Sequence, residues 1–454
     1  MYRQTGTENT NFGQSKSYSE LTDREIGVLH RQQKIIVTWS IMASFTYALI
    51  WYWVPSVDSF IGKQFSLSSF DVGLLISAFG AAFIVTNFMW GHLNDRFHPN
   101  RVVTIGLILA GISTFLFQYV TNFPEMIALR VIEGVFNGAA WSGIVKTVQL
   151  WFPIEKRSRY LGIFIAVYSW AISIDLLAGI GISISHGWQT WALIVGLIGV
   201  VVGILTFFMA KPYGYMVGIP NIDWGDVPPS RSQKFLDVGK SLFRYRWMLL
   251  AILSGLVVIG GANIISGFYL QQVLPQLQGL RPSQIEILGT VWGVAQGILI
   301  LIFGPLSDRT GKRVIFMKIG LAGAAVSFSL VALTTFIHPL PLLAIYAVTV
   351  STGIPFLIAG PVFALLGDRY GVQMVGAASS YFEGFGTGGG AFLFPLILGF
   401  FSISTGWIII AVIFIAIFLI WVPQKEYKVN RSLVDRKTLN EEKEQKLKEF
   451  GLEP

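Results

Sequence analysis

The chain has 454 residues, 53% of them hydrophobic and only 13% charged, with a mean hydropathy of +0.61 and a formal net charge of +8. That balance excludes a water-soluble globule, and the basic residues sit in linkers between apolar runs, which argues against a nucleic-acid surface. No cysteine is present, so disulfides, thiolate metal sites and thiol redox switches are excluded.

Residues 1–34 are polar and mixed in charge, without a removable signal peptide. Apolar runs then follow, each long enough to cross a bilayer core of roughly 30 Å as a helix. The pattern predicts spans at 35–57, 69–93, 101–120, 124–150, 158–184 and 188–210. A polar linker at 211–246 carries Pro212, Pro220, Pro228 and Pro229, then a basic cluster of Arg231, Lys234, Lys240, Arg244 and Arg246. Six further spans fall at 247–273, 284–306, 314–336, 339–366, 373–399 and 404–423, and a charged tail occupies 424–454. Within it, 436–450 has Glu-to-Lys pairs at helical spacing and reads as a solvated helix. The runs are continuous, so a β-barrel wall with its alternation is ruled out. The expected fold is all-α and integral to the membrane, with twelve transmembrane helices in two pseudo-symmetric six-helix halves (35–210 and 247–423).

Orientation follows from Lys and Arg in the loops. With both termini cytoplasmic, Arg96, Arg101, Lys156, Arg157, Arg159, the linker cluster, Arg309, Lys312, Arg313, Lys318 and Arg369 lie on that side. Lys63 and Arg281 alone lie opposite. This predicts a multi-pass protein of the cell membrane with both ends inside.

Gly91-His92-Leu93-Asn94-Asp95-Arg96 and Gly304-Pro305-Leu306-Ser307-Asp308-Arg309 are near-copies placed after the second and eighth spans. A glycine there permits close helix approach, and an Asp near a helix end can accept hydrogen bonds and pair with an Arg, forming a latch that differs between conformations. Arg101 in the first copy, and Gly311, Lys312 and Arg313 in the second, complete the candidate gating loops. The fourth span holds Arg130, Glu133 and Asn137 along one stripe, close enough for the charges to neutralise one another.

On these motifs the chain resembles the major facilitator superfamily from about 35 to 423. The second loop copy matches the family's cytoplasmic motif position by position, whereas the first departs at Phe97-His98-Pro99-Asn100-Arg101. The run from Trp141 to Arg157 is similar to the fourth-to-fifth helix link of organic-anion and organophosphate carriers, with Lys146 where some of them have a basic residue. The basic residues such carriers place in their first and seventh helices have no counterpart at 35–57 or 247–273. Lys146 can instead reach the membrane interface with its long side chain.

Two acids remain inside the membrane, Asp175 and Glu383, in the equivalent fifth and eleventh spans. A carboxylate there costs at least roughly 2.5–3.5 kcal/mol, so it should face water, pair with a cation or hold a proton. Glu383 lies roughly 15 Å into its span, near the midplane where transporters hold substrate. Gly376, Ser379, Thr387 and Gly390 surround its face. Tyr47 and Tyr168 are expected to line the same cavity, while Trp51, Tyr52 and Trp53 read as an interfacial belt. The glycines at 179, 181 and 384–390 read as packing and hinge elements.

The resemblance implies a secondary active transporter that moves a small organic solute, an organic anion among the candidates, by alternating access and proton symport. No nucleotide-binding loop is present. A proton-coupled exporter of cationic or amphipathic compounds is the alternative, and a solute-sensing membrane receptor of the same fold is the alternative from another class. An enzyme is not expected, because no histidine cluster or metal-ligand spacing appears. No metal or cofactor is expected, and the partners are the solute, the proton and the bilayer around a monomer.

Overall fold

The computed structural model describes residues 15–224, 243 and 246–426; the side chains at 95, 154–158, 308, 368 and 371–376 are outside that description, as are the basic linker residues 231–244 and the tail helix expected at 436–450. Apolar runs bounded by capping residues give long helices. α1 runs Asp23–Phe65, opened by a Thr22–Glu25 capping box and closed by Ser66 in the left-handed region. α2 (Ser69–Arg96) starts from a second capping box, Ser68 with Asp71. α3 (Pro99–Tyr119) has proline in its first turn, where the missing N–H costs nothing. α4 (Phe123–Trp151) is capped by Asn122, and α5 occupies 154–186 with α6 at Trp188–Met209.

The second half holds α7 (Arg246–Gln278), α8 (Pro282–Thr310), α9 (Val314–Thr334), α10 (Leu342–Gly367), α11 at 368–400 and α12 (Ile403–Trp421). Ten helices among the described residues are apolar and long enough to cross a membrane by length and composition. α4, which carries Glu125, Arg130, Glu133 and Lys146, and α11 complete the twelve. The loop expected between the tenth and eleventh spans is itself helical, since the backbone stays in helix from Ala359 to Tyr381.

Among the described residues, four helices depart internally from regular winding: α10 tightens at Ile354–Ile358, and three others open into wide turns. α5 opens into a wide, π-helical turn at Asp175–Gly179, α7 does so at Leu256–Gly260 and Ile265–Val273, and α11 does so at Phe382–Gly388. Such turns are rare and concentrate at functional sites.

Glycines bring helices close both within the second half and between the halves. A Cβ on Gly390 of α11 would sit 2.7 Å from the Gly260 Cα of α7. Across the halves, Gly80 of α2 lies against the α11 backbone, where an added Cβ would stand 2.7 Å from the Phe392 nitrogen. Of the glycines expected to pack, Gly390 and Gly386 make such close crossings; Gly80 and Gly260 were not singled out in the sequence. At the end that carries both termini, strand β1 (Ser15–Ser17) pairs in parallel with β2 (Asn221–Asp223), and Tyr18 stacks on Trp224 at 6.0 Å. This clip ties the N-terminal segment to the start of the linker.

Candidate functional site

A cavity lies where the halves cross, lined from α1, α4 and α5 on one side and from α7, α10 and α11 on the other. Its volume is about 30 Å³, room for one or two waters, so the pocket is closed down around its centre. The walls are aromatic. Tyr47 stands 5.1 Å from Trp141 and 6.0 Å from Tyr168 between ring centroids, and Trp141 meets Tyr168 edge-on at 5.6 Å. These are favourable tilted and edge-to-face arrangements. The Tyr168 hydroxyl donates to that of Tyr52 at 3.2 Å.

Glu383 reaches this cavity from the wide turn of α11, and the Thr387 hydroxyl donates to its Oε2 at 2.6 Å. No Lys, Arg or His is among the lining residues. Of the sequence-predicted set, Tyr47, Tyr168 and Glu383 are thus brought together at one place. Trp51 joins them, which corrects the expected interfacial belt. Trp51, Tyr52 and Trp53 are all buried, because α1 continues to Phe65 and leaves them in mid-helix. Trp51 donates to Asn263 of α7 at 3.1 Å, bridging the halves, and Trp53 donates to Glu133 at 3.2 Å.

Arg130 and Glu133 lie outside the cavity lining. Arg130 pairs with Glu133 at 2.6 Å and stacks over the Phe79 ring at 4.5 Å. The other Glu133 oxygen accepts from Thr114 at 2.7 Å, so the pair joins α1, α2, α3 and α4 in a single buried network. Asn137 donates to the Tyr47 carbonyl at 3.2 Å and anchors the helix that carries the cavity tyrosine. Asp175 is likewise apart from the lining residues: it begins the wide turn of α5 and accepts from Trp191 of α6 at 3.0 Å.

Lys146 donates to the Asn94 carbonyl at 2.9 Å, within the first loop motif. The Asp95 and Asp308 side chains are not among those described, but their neighbours are. Asn94 donates to the Ala139 carbonyl and to Ser142 at 3.1 and 2.8 Å, and Ser307 accepts from Arg313 at 2.9 Å while donating to the Lys312 carbonyl at 2.7 Å. Gly91 is buried, Gly304 packs beside Gly360 of α10, and Gly311 takes a positive φ of 67° at the turn, while Arg96, Arg101, Arg309 and Lys312 are exposed. Glu426, just beyond α12, accepts from the backbone amides of Arg313, Val314 and Ile315, satisfying the open start of α9. Sequence reasoning passed over Asn94 and Ser307, although they hold the same register in the two loop copies. It also passed over Glu426 and over Asp58, a buried acid of α1.

Twelve spans in two like halves, closing on a pocket at their crossing, define a multi-pass membrane protein built to move solutes. The model described as Major Facilitator Superfamily matches residues 39–275 and again 253–452. The chain belongs to that superfamily of transporters. It is 26% identical over 400 residues to the glycerol-3-phosphate transporter of Bacillus subtilis, covering 78% of this chain and 85% of that one. An uncharacterized MFS-type transporter of Methanocaldococcus jannaschii is 20% identical over 325 residues, 70% of this chain and 79% of its own. Shorter matches join it to two Escherichia coli proteins: the membrane sensor protein UhpC, 23% identical over 39% of this chain and 42% of the sensor, and the probable galactarate/D-glucarate transporter GarP, 28% identical over 31% and 33%. The chain therefore spans less than half the length of those last two.

Proposed function

We propose that the protein is a secondary active transporter of the cell membrane, importing a small organic solute with protons by alternating access, with both termini cytoplasmic and a monomer as the working unit. The observation that carries this is Glu383, a carboxyl held by Thr387 on a wide helical turn at a cavity lined by six helices from both halves. A protonated Glu383 is neutral and tolerates the closed, apolar pocket; its ionised form favours a wet, open one. Tyr47, Trp51, Trp141 and Tyr168 supply flat faces for stacking a solute. Asn137 and the Arg130–Glu133 pair hold the helices beneath those faces in place. The loops at Gly91–Arg101 and Gly304–Arg313 latch the terminal end during the cycle, with Asp95 and Asp308 as the acids of that latch, and Lys146 belongs to the first of them. Asp175 tunes the bend of α5 through Trp191.

Similarity to carriers named for glycerol-3-phosphate and galactarate supports an organic acid as the solute. The acidic and aromatic lining favours a second reading, export of cationic or amphipathic compounds, in which Glu383 meets the positive charge. Reconstituted protein in proteoliposomes, screened against organic acids, amino acids, sugars and organic cations with an imposed proton gradient, separates the two. Glu383→Gln should abolish proton-driven accumulation and spare solute exchange. Accumulation at the parent's level in that variant would remove Glu383 from the coupling.

A further inference from the structure

A further buried acid, Asp58, lies outside the lining of the central cavity. Asp58 lies near the distal end of α1, the end of the bundle remote from both termini, and is 1% exposed. Neither carboxyl oxygen has a hydrogen-bond partner among the described residues. Its Oδ2 faces Gly267 in the wide-turn stretch of α7, where a Cβ would come within 3.2 Å. On either side of it the halves are pinned together: Ser59 donates to Gln271 Oε1 at 2.8 Å, and Gln271 Nε2 donates to the Ser56 carbonyl at 3.0 Å. Asp58 is therefore built into the contact by which α1 and α7 close the distal end.

The charged groups of the surrounding elements leave it alone. α7 has no charged residue from 247 to 278, and its Tyr269 hydroxyl is engaged with Thr334 at 3.2 Å. α2 presents Ile76 to the same glycine, and its Asp71 is held in the cap by Ser68 at 2.7 Å. On α1 itself Lys63 is exposed, and Tyr52 is turned to Tyr168. Residues 389–400 of α11 carry no ionisable group, and Asp175 of α5 is turned to Trp191. No cation forms a salt bridge with Asp58 among the described residues.

An ionised carboxylate so placed would be buried, uncompensated and costly, whereas the neutral acid fits. A metal cation would need several free oxygens, yet Ser59 and Gln271 are committed to one another. We propose that Asp58 is a proton-binding site that governs the distal gate: taking up a proton lets α1 seat against α7, and losing it drives the two apart so that the carboxylate can hydrate. This rests on the alternating-access reading above, but it assigns a second titrating group, at the gate and away from the solute.

Because the chain lacks cysteine, a single thiol can report the gate. Ser56, fully buried on α1 beside the contact, is replaced in Ser56→Cys, and its labelling rate by a water-soluble maleimide is measured in lipid nanodiscs with and without Asp58→Asn. Thiol chemistry is common to both proteins, so the ratio of their rates isolates the gate. That ratio should be near one at pH 5.5 and rise at least tenfold by pH 8.5. Asp58→Leu, equally unable to ionise, should reproduce the Asn result and guards against a folding defect peculiar to one variant. A ratio that stays constant over this pH range, or that responds to sodium at fixed pH and not to protons, overturns the proposal. The readout needs no solute. A pH-dependent ratio beside flux that ignores the proton gradient would retain Asp58 as the gate and reject proton-driven import.

Discussion

The Arg130–Glu133 pair offers the sharpest test of how the first half is held together. At 2.6 Å and an effective dielectric of about 20, the attraction is about 6 kcal/mol, most of it offset by the cost of taking both charges out of water. Removing one partner leaves the other charge buried without its counter-ion. Arg130→Met should therefore destabilise the protein by about 3–5 kcal/mol, and Glu133→Met by a similar amount. The double variant loses both charges at once. What remains is the cost of orphaning the Thr114 hydroxyl and the Trp53 indole, about 1–3 kcal/mol each when buried. The double change should thus cost clearly less than the sum of the single changes, with a coupling energy of about 2–3 kcal/mol. Denaturant titration of the detergent-solubilised chain, followed by tryptophan fluorescence, provides the measurement, since Trp53 is part of the network. Simple additivity would show that the two charges do not depend on each other, and the network reading would fall.

The close approach of Gly80 to α11 makes Gly80→Val a selective block on distal closure, because its Cβ would meet the Phe392 and Ala391 backbone at 2.7 and 2.8 Å. Overpacking of this kind costs about 1–3 kcal/mol, enough to shift the closed state roughly five- to a hundredfold. Spin labels on cysteines placed at 67 and 402 should then report a longer separation across the distal end, and an unchanged distance distribution would refute it. His98, outside the spans, packs edge-on against Tyr213 and Tyr215, and burial together with the Arg101 charge holds its imidazole below the ordinary value of 6.5. The fold favours the neutral ring, so this contribution is present above about pH 6.5 and is lost as acidification protonates the unfolded chain first. His98→Phe keeps the ring contacts and should flatten the fall in thermal midpoint between pH 7 and 5; an identical fall in both proteins would discount His98.

The helices were legible because burial in lipid demands long apolar runs, and those runs are countable. Ends were less legible. α1 was expected to stop at Val57 because Asp58, Ser59, Gly62 and Lys63 follow, yet the structure buries Asp58 and carries the helix on to Phe65. That misplaced end hid Asp58 and made Trp51 and Trp53 look like belt residues. Glu383 was legible, since one acid deep in an apolar span stands out. Its neighbours on α1, α4 and α5 were partly so, because a stripe on one helix does not tell which stripe on another it meets. The wide turns were legible only as glycine-rich stretches at 179–181 and 384–390; that the winding itself opens at Asp175–Gly179 and Phe382–Gly388, and also in α7, could not be read from the sequence.

Those turns also divide labour between the halves. The cavity residues of the first half, Tyr47, Trp51, Trp141 and Tyr168, come from regularly wound stretches of α1, α4 and α5. Most of those of the second half come from departures: Val258 and Ile259 from a wide turn of α7, Phe356 and Ile358 from the tightened stretch Ile354–Ile358 in α10, and Phe382, Glu383 and Thr387 from the wide turn of α11, while Ser254, Ala359, Val362 and Phe363 sit on regular helix. Irregular turns of this kind are rare within helices and concentrate at functional sites. The first half thus presents an aromatic face braced by Asn137 and the buried ion pair, and the second half presents the more irregularly wound face that carries the Glu383 carboxyl. A pseudo-symmetric sequence has in this way produced an asymmetric cavity, with the aromatic rings of Tyr47, Trp51, Trp141 and Tyr168 on one side and the Glu383 carboxyl on the other.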